Sequence, residues 1–242
     1  MANAPVDPKA AHPAAIADVK RLMRLARTGA LATLQAVGGA PLTTLIGVAS
    51  DFDGAPLFLM STLSRHTRNL ANDSRASLLL TGRHDRGDPL NHPRVTLSGQ
   101  VERSAAPRAK TRYLQRNPKA GLYAGFADFG VFQLRIEDVH FNGGFGRAAA
   151  LTVAEVLSPR EGERALVEAE VGLLAEVNAL GQAGLARLAG YSALRPAWKA
   201  IGLDAEGLDL AAGGRAARAQ FAAAAHDPEA WRARRDQLLA AG

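Results

Sequence analysis

The segment 60–70 (MSTLSRHTRNL) brings hydroxyl, guanidinium and imidazole side chains together within a few residues. It follows an apolar predicted strand and opens a predicted helix, for which Ser64 is a suitable N-cap. The first turn of a helix leaves backbone N–H groups free and carries about half a positive charge. Together with Ser64, Arg65, His66 and Thr67, these donors predict a site for phosphate or another anion. The alternative is a capped surface helix with a basic face.

The elements that must position this segment are predicted from the apolar periodicity. Gly38-Gly39 and Asp53-Gly54 are hairpin signals, and tight hairpins make neighbouring strands antiparallel. Six such strands with short helices between them indicate a barrel with helices at its ends. The predicted strands cover 29–35, 41–50, 55–61, 77–81, 93–104 and 129–142, and the predicted helices cover 14–27, 62–75, 107–115 and 118–124.

The composition changes near residue 158, which predicts a second, smaller α+β domain. An amphipathic helical stretch over 162–190, interrupted at Gly181–Gly184, precedes three short predicted strands within 199–221. Asp227 and Pro228 are a typical N-cap and first residue of a closing helix. We therefore divide the chain into a disordered arm over 1–12, a barrel domain over 13–157 and a C-terminal domain over 158–242.

Charge and composition limit the classes of partner. There are 19 basic and 11 acidic residues before Leu151, against 10 and 12 from there onward, so the barrel half suits an anionic ligand. Aromatic residues make up only 5% of the chain, which makes nucleic acid an unlikely partner. The absence of cysteine excludes disulfides, thiolate catalysis and cysteine-ligated metals. We find neither a signal peptide nor an apolar run of about 20 residues, and expect a cytoplasmic protein without a membrane partner.

The run from Pro41 to Arg103 resembles the pyridoxamine-5′-phosphate-oxidase-like, FMN-binding split-barrel superfamily. The resemblance rests on the Asp-Gly hairpin, the strand ending in Ser61, the Ser-Arg-His helix start and the following segment 72–79 (NDSRASLL). Residues 63–70, the run 141–148 (FNGGFGRA) and the C-terminal α+β domain resemble the haem-iron-utilisation branch. The resemblance implies an α+β fold with a six-stranded antiparallel split barrel, and a homodimer that binds FMN or haem between its subunits.

The same resemblance implies roles for individual residues toward a small, anionic, planar ligand. Ser61, Arg65 and His66 occupy positions that contact the FMN phosphate in flavin-binding relatives, and Asn69 would support them. Thr44 stands where such relatives often carry an arginine, and threonine supplies a hydrogen bond without a charge. Arg147 follows a glycine-rich run that allows close backbone approach, so it could anchor an acidic group. The full set of expected cofactor-binding residues is Thr44, Ser61, Arg65, His66, Thr67, Asn69 and Arg147.

A haem would need an axial ligand, and no metal site is otherwise expected. The candidate ligands are His66, His84, His92, His140 and His226. Relatives often carry a His-Met-Asn…Asp-His signature at the first helix of the C-terminal domain, and the matching run 176–181 (EVNALG) keeps only Asn178. If the protein is an enzyme, the resemblance implies an oxidoreductase. The alternative is a non-catalytic binding or storage protein that kept the fold and lost turnover. No catalytic residue is assigned.

Overall fold

The computed structural model describes residues 8–82, 87–106, 108–144, 147–191 and 197–241. The chain forms two compact units, one ending at Leu157 and the other beginning at Ser158. The helices of the first unit are α1 (Pro8–Leu25), α2 (Arg65–Asn72), α3 (Ala109–Arg116) and α4 (Val153–Val156). Its strands are β1 (Thr28–Leu34), β2 (Pro41–Gly47), β3 (Ala49–Ser50), β4 (Pro56–Ser61), β5 (Arg75–Thr81), β6 (Arg94–Arg103), β7 (Phe129–Asn142) and β8 (Ala148–Ala150).

The strands of the first unit form one curled antiparallel sheet. Its order is β2-β1-β5-β6-β7-β4-β3, and β8 adds to β7. This architecture confirms the predicted α+β class with an antiparallel split barrel. All six predicted strands are present, although the strand predicted over 41–50 is interrupted at Val48 into β2 and β3. Among the described helices, none is long and apolar enough to cross a bilayer.

Alternation along the strands builds the core of this unit. Leu31, Leu78, Leu97 and Leu134 are fully buried and come from four adjacent strands, so they fill the inner face of the sheet. Helix α1 covers this core through buried side chains that include Val19. It begins at Pro8, which corrects the predicted arm: residues 8–12 are helical. Proline is tolerated at the start of a helix because its missing N–H has no partner there.

The Asp53-Gly54 hairpin is confirmed, but its tip is buried. Arg24 of α1 donates to the backbone oxygens of Asp51 and Phe52 at 2.8 and 2.6 Å. The carboxylate of Asp53 accepts from the Ala55 amide at 2.9 Å. The turn that joins β3 to β4 is therefore held from inside the protein, and this fixes the direction in which β4 leads toward α2.

The second unit contains α5 (Glu163–Asn178), α6 (Gly181–Leu188), β9 (Lys199–Asp204), β10 (Gly207–Ala212), β11 (Arg215–Gln220) and α7 (Pro228–Ala241). Its antiparallel sheet has the order β11-β10-β9. The Arg218 guanidinium is buried between Asp204 and Asp209, with nitrogen–oxygen distances of 2.8 and 3.1 Å. These carboxylates raise the pKa of Arg218 although its burial opposes the charge. The three strands are thus cross-linked by an ion triad.

One glycine in β6 is required by the sheet itself. The register with β7 slips after Ser98, so that Glu137 is the extra residue of a bulge. A Cβ atom at Gly99 would lie 2.0 Å from the backbone oxygen of Arg135. Only glycine fits there without displacing a strand.

We therefore expect Gly99→Ala to lower the free energy of unfolding by about 2–3 kcal/mol, because overpacking against backbone cannot be relieved by a side-chain rotation. Urea unfolding followed by circular dichroism measures the change. Gly82→Ala is the control, since its added Cβ would meet only Leu22 at 3.7 Å and the Pro93 oxygen at 4.0 Å. Equal midpoints for the two variants would contradict the prediction.

Candidate functional site

Helix α2 lies against the end of β1 and is fixed there by a buried polar contact. The Asn69 amide donates to the Thr33 hydroxyl at 3.0 Å, and both residues are buried. Leu70, the next residue, belongs to the barrel core. The position of α2 on the sheet is therefore set by its inner face, which leaves Arg65 and Arg68 on its exposed face.

The carboxylate of Asp128, which was not among the predicted site residues, lies beside the start of α2. Ser61, the last residue of β4, donates its hydroxyl to a carboxylate oxygen of Asp128. The same hydroxyl accepts from the Leu63 amide at 3.0 Å, and the Thr62 amide donates to the Asp128 backbone oxygen at 2.8 Å. A negative charge from the protein itself therefore stands beside the predicted anion site.

The hydroxyl groups of the first turn bind one another. Ser64 Oγ lies 2.7 Å from Thr67 Oγ1 and donates to the Ser61 backbone oxygen at 2.8 Å. Ser64 is the N-cap residue by position, but its side chain makes no capping hydrogen bond to the helix backbone. Thr67 is buried. In this arrangement these two hydroxyls bind other groups of the same segment.

Arg65, like Arg68, is an exposed and charged residue of the first turn. One guanidinium nitrogen donates to Gln35 Oε1, at the end of β1, at 2.8 Å. A guanidinium has five N–H donors, so this single contact leaves others for an acidic ligand. The Gln35 contact holds the side chain over the β1–β2 end of the barrel.

His66 lies inward of Arg65 and faces β2. Its Nδ1 is 3.2 Å from the hydroxyl oxygen of Thr44. Partial burial lowers the pKa of His66 below the ordinary value of 6.5, because removing water disfavours the imidazolium form. The imidazole is thus neutral at physiological pH. When Nδ1 carries the proton and donates to Thr44, Nε2 presents a lone pair.

The structure brings six of the seven predicted residues together around α2, and it places Arg147 elsewhere. Arg147 follows β7, where its guanidinium donates to the Gly143 backbone oxygen in the same turn. Ser61 pairs with Phe129 at the other end of β7. The two positions are separated by the 14-residue length of that strand. Within one chain, Arg147 therefore does not join the α2 residues.

The other candidate histidines that the structure describes belong to other elements than α2. His92 ends a short 3₁₀ turn over Pro89–Asn91, and His140 is exposed on β7. His226 is exposed in the C-terminal unit, where Nδ1 is 3.2 Å from the Glu161 backbone oxygen. His84 lies outside the described residues. Across the described parts of the chain, no three histidine or acidic side chains converge on a possible metal position.

An aromatic cluster lies beside Asp128. The rings of Tyr123 and Phe126 have centroids 5.0 and 6.4 Å from that of Phe129, whose backbone pairs with Ser61. Phe126 keeps 60% of its surface exposed. The segment 118–129 was predicted only as a short helix and the start of a strand, so local sequence gave no sign of this cluster. It provides an apolar surface next to the polar start of α2.

The segment 176–181, which matches the signature position, makes packing contacts within the C-terminal unit. Asn178 donates to the Ala200 backbone oxygen at 3.2 Å and accepts from the Ala200 amide at 2.9 Å. Glu176 forms ion pairs with Arg232 and Arg235 of α7. The segment 176–181 therefore fixes the edge strand β9 and the closing helix.

Comparisons with known proteins identify the family to which this chain belongs. Residues 8–158 match the family model described as CREG, beta-barrel. The crystal structure of protein Atu2129 from Agrobacterium tumefaciens, of unknown function, is 32% identical, with a TM-score of 0.81 over 99% of this chain and 100% of that chain. A heme binding protein from Mycobacterium smegmatis is 28% identical, with a TM-score of 0.54 over 93% of this chain and 96% of that chain.

A curated relative comes from Arabidopsis thaliana and is named "Non-canonical heme oxygenase HOZ, chloroplastic". It is 27% identical over 146 residues, which are 58% of this chain and 44% of that protein. The chain thus spans less than half the length of this relative.

The burial of His66 predicts a measurable titration. We expect its ring to titrate below pH 6.5 in the folded protein, as followed by NMR of the imidazole protons. The unfolded chain then binds the proton more readily than the folded one, so stability falls as the pH drops below about 6.5. His66→Gln should remove that part of the pH dependence. A His66 pKa at or above 6.5 would contradict this interpretation.

Proposed function

Because the chain belongs to the CREG β-barrel family, on the haem-utilisation branch of the split-barrel superfamily, we propose that it binds haem at the start of α2. The family resemblance read from the sequence is confirmed by the match and by the full-length neighbour. The relatives named for haem support the ligand class. The observation that carries the proposal is His66, a neutral imidazole held at Nδ1 by Thr44.

The residues present fit haem. A hydrogen bond to one ring nitrogen orients a histidine and leaves the other nitrogen for a metal, so His66 Nε2 would hold the haem iron. Arg65, exposed and held at Gln35, would bind a propionate. The cluster of Tyr123, Phe126 and Phe129 offers the apolar surface that a porphyrin ring requires. The bound iron would supply the electron chemistry, and the protein would supply orientation and charge.

The residues fit FMN less well, although the sequence left both cofactors open. A phosphate needs free donors and a positive environment. Here Ser61 binds Asp128, Ser64 and Thr67 bind each other, and Thr44 adds no charge. Of the six predicted residues around α2, Arg65 is the one cation that remains for the phosphate, so haem is the ligand we propose.

The test is titration of the purified protein with haem, followed by absorbance. A Soret band that saturates at one equivalent per chain is expected, whereas flavin would give bands near about 370 and 450 nm. His66→Ala should shift the Soret maximum and weaken binding by at least about tenfold, since loss of an iron ligand costs more than a peripheral contact. His226→Ala, an exposed histidine in the other unit, is the control. An unchanged spectrum in His66→Ala would rule out His66 as the ligand.

The second candidate is haem binding without turnover. It is favoured by the segment 176–181, where both signature histidines are missing and Asn178 is engaged in packing. The same haem complex, exposed to oxygen and ascorbate, distinguishes the two. A stable Soret band supports a storage or carrier protein, and its reductant-dependent loss supports an oxygenase.

We further propose a homodimer formed through the outer face of the sheet. Leu45 is 76% exposed and Leu79 is 37% exposed, and both pair with Ala30, which lies between them on β1. The next row along the sheet consists of Thr43, Ala32 and Ser77, so the face combines small residues with two leucines. Because Thr44 and Leu45 are neighbours on β2, this face and the ligand site share a strand.

We expect Leu45→Arg to convert the protein to a monomer in size-exclusion chromatography with light scattering, because a buried arginine without a partner opposes association. Val37→Arg is the matched control: Val37 is 89% exposed in the β1–β2 loop, away from this face. A monomeric wild-type protein, or a dimer that survives Leu45→Arg, would contradict the proposed interface.

A further inference from the structure

The geometry points to Asp128 as the residue that determines which anions the α2 site accepts, by holding a fixed negative charge at the position where flavin phosphates would bind. This inference rests on the proposed function, because it concerns the choice of ligand at the same site.

The first step concerns the donors. The Ser61 hydroxyl is oriented by two contacts, as it donates to the Asp128 carboxylate and accepts from the Leu63 amide. A phosphate at this position would need that hydroxyl and that amide for itself. The Ser61 hydroxyl already donates to Asp128, and the Leu63 amide already donates to Ser61, so neither donor is left for a ligand.

The second step concerns the placement of the carboxylate. Asp128 is half-buried, and its backbone is tied to Thr62 at 2.8 Å while the following residue pairs with Ser61. The side chain therefore cannot leave without breaking a strand pairing or the Ser61 contact. A phosphate monoester carries close to two negative charges at neutral pH, and repulsion between fixed like charges reduces affinity strongly.

The third step concerns the ligand that remains acceptable. A haem presents its carboxylates on flexible propionates, and one of these would pair with Arg65, whose guanidinium contacts Gln35 and not Asp128. An FMN phosphate, by contrast, is expected at Ser61 if this chain binds as the flavin-binding relatives do. Asp128 therefore selects against phosphate-bearing ligands and leaves the histidine side of the site, at His66 and Thr44, unaffected.

The test compares FMN with riboflavin, which has the same ring and no phosphate. Asp128→Asn keeps a side chain of the same shape that accepts from Ser61, and removes the charge. We expect FMN affinity to rise by at least about tenfold in this variant, and riboflavin affinity to change by less than about threefold. Inorganic phosphate should compete with FMN for Asp128→Asn. Isothermal titration and flavin fluorescence provide the measurements.

Glu102→Gln is the matched control, because it removes one exposed carboxylate from the same end of the barrel and has no contact with Ser61. Unchanged FMN binding in a folded Asp128→Asn protein overturns the inference, as does an equal gain for riboflavin or for Glu102→Gln. Asp128→Ser provides a second variant if the amide disturbs the fold. Failure of the wild-type protein to bind haem would overturn the proposed function instead. The comparison of FMN with riboflavin would still test the role of Asp128.

Discussion

The buried hydrogen bond from the Asn69 amide to the Thr33 hydroxyl determines where α2 sits on the sheet. An amide and a hydroxyl that are both removed from water must find partners, and here each satisfies the other. Leu70 beside them adds apolar burial, so a helix of only eight residues is held in one position. Every proposed ligand contact follows from that position: Arg65 reaches Gln35, and His66 reaches Thr44.

The start of this helix illustrates how the same donors can serve folding or binding. A free helix N-terminus attracts anions, but only when its hydroxyls and amides are available. In this chain Asp128 binds the Ser61 hydroxyl, and Ser64 and Thr67 form a closed pair. Among the predicted site residues around α2, the Arg65 guanidinium and the His66 imidazole are the groups left for the proposed ligand. That pair suits a carboxylate-bearing metal complex better than a phosphate ester.

Local sequence predicted the turns well where the backbone needs a positive φ angle, because glycine is the residue that adopts it readily. The hairpins at Gly38-Gly39 and Asp53-Gly54 were predicted in this way, and Gly38, Gly39 and Gly54 adopt positive φ angles. The clustering of six site residues around α2 also followed, since five of them lie within nine residues of sequence and Thr44 came from the family resemblance. Contacts between distant segments did not follow. Asp128 is 67 residues from Ser61, and nothing in either segment specifies that they meet.

Two other predictions differed from the structure: the start of α1 and the position of Arg147. Helical periodicity could not place residues 8–12 in α1, because Pro8 and Pro13 bracket an alanine-rich segment that contains no large apolar residue. Arg147 was grouped with the α2 residues from a family pattern, yet the length of β7 separates them in one chain. A contribution from Arg147 to the α2 site therefore requires a second copy of the chain, which ties that residue to the proposed dimer.

In the C-terminal unit, residues at the signature position make contacts that hold the fold together. Asn178 links α5 to β9 through two hydrogen bonds with Ala200, and Glu176 links α5 to α7 through two arginines. Both residues are fully used by packing within this unit. The asparagine of the signature can therefore be retained for stability alone, while positions that carry histidine in relatives are free to change. The presence of one signature residue is consequently no argument for turnover.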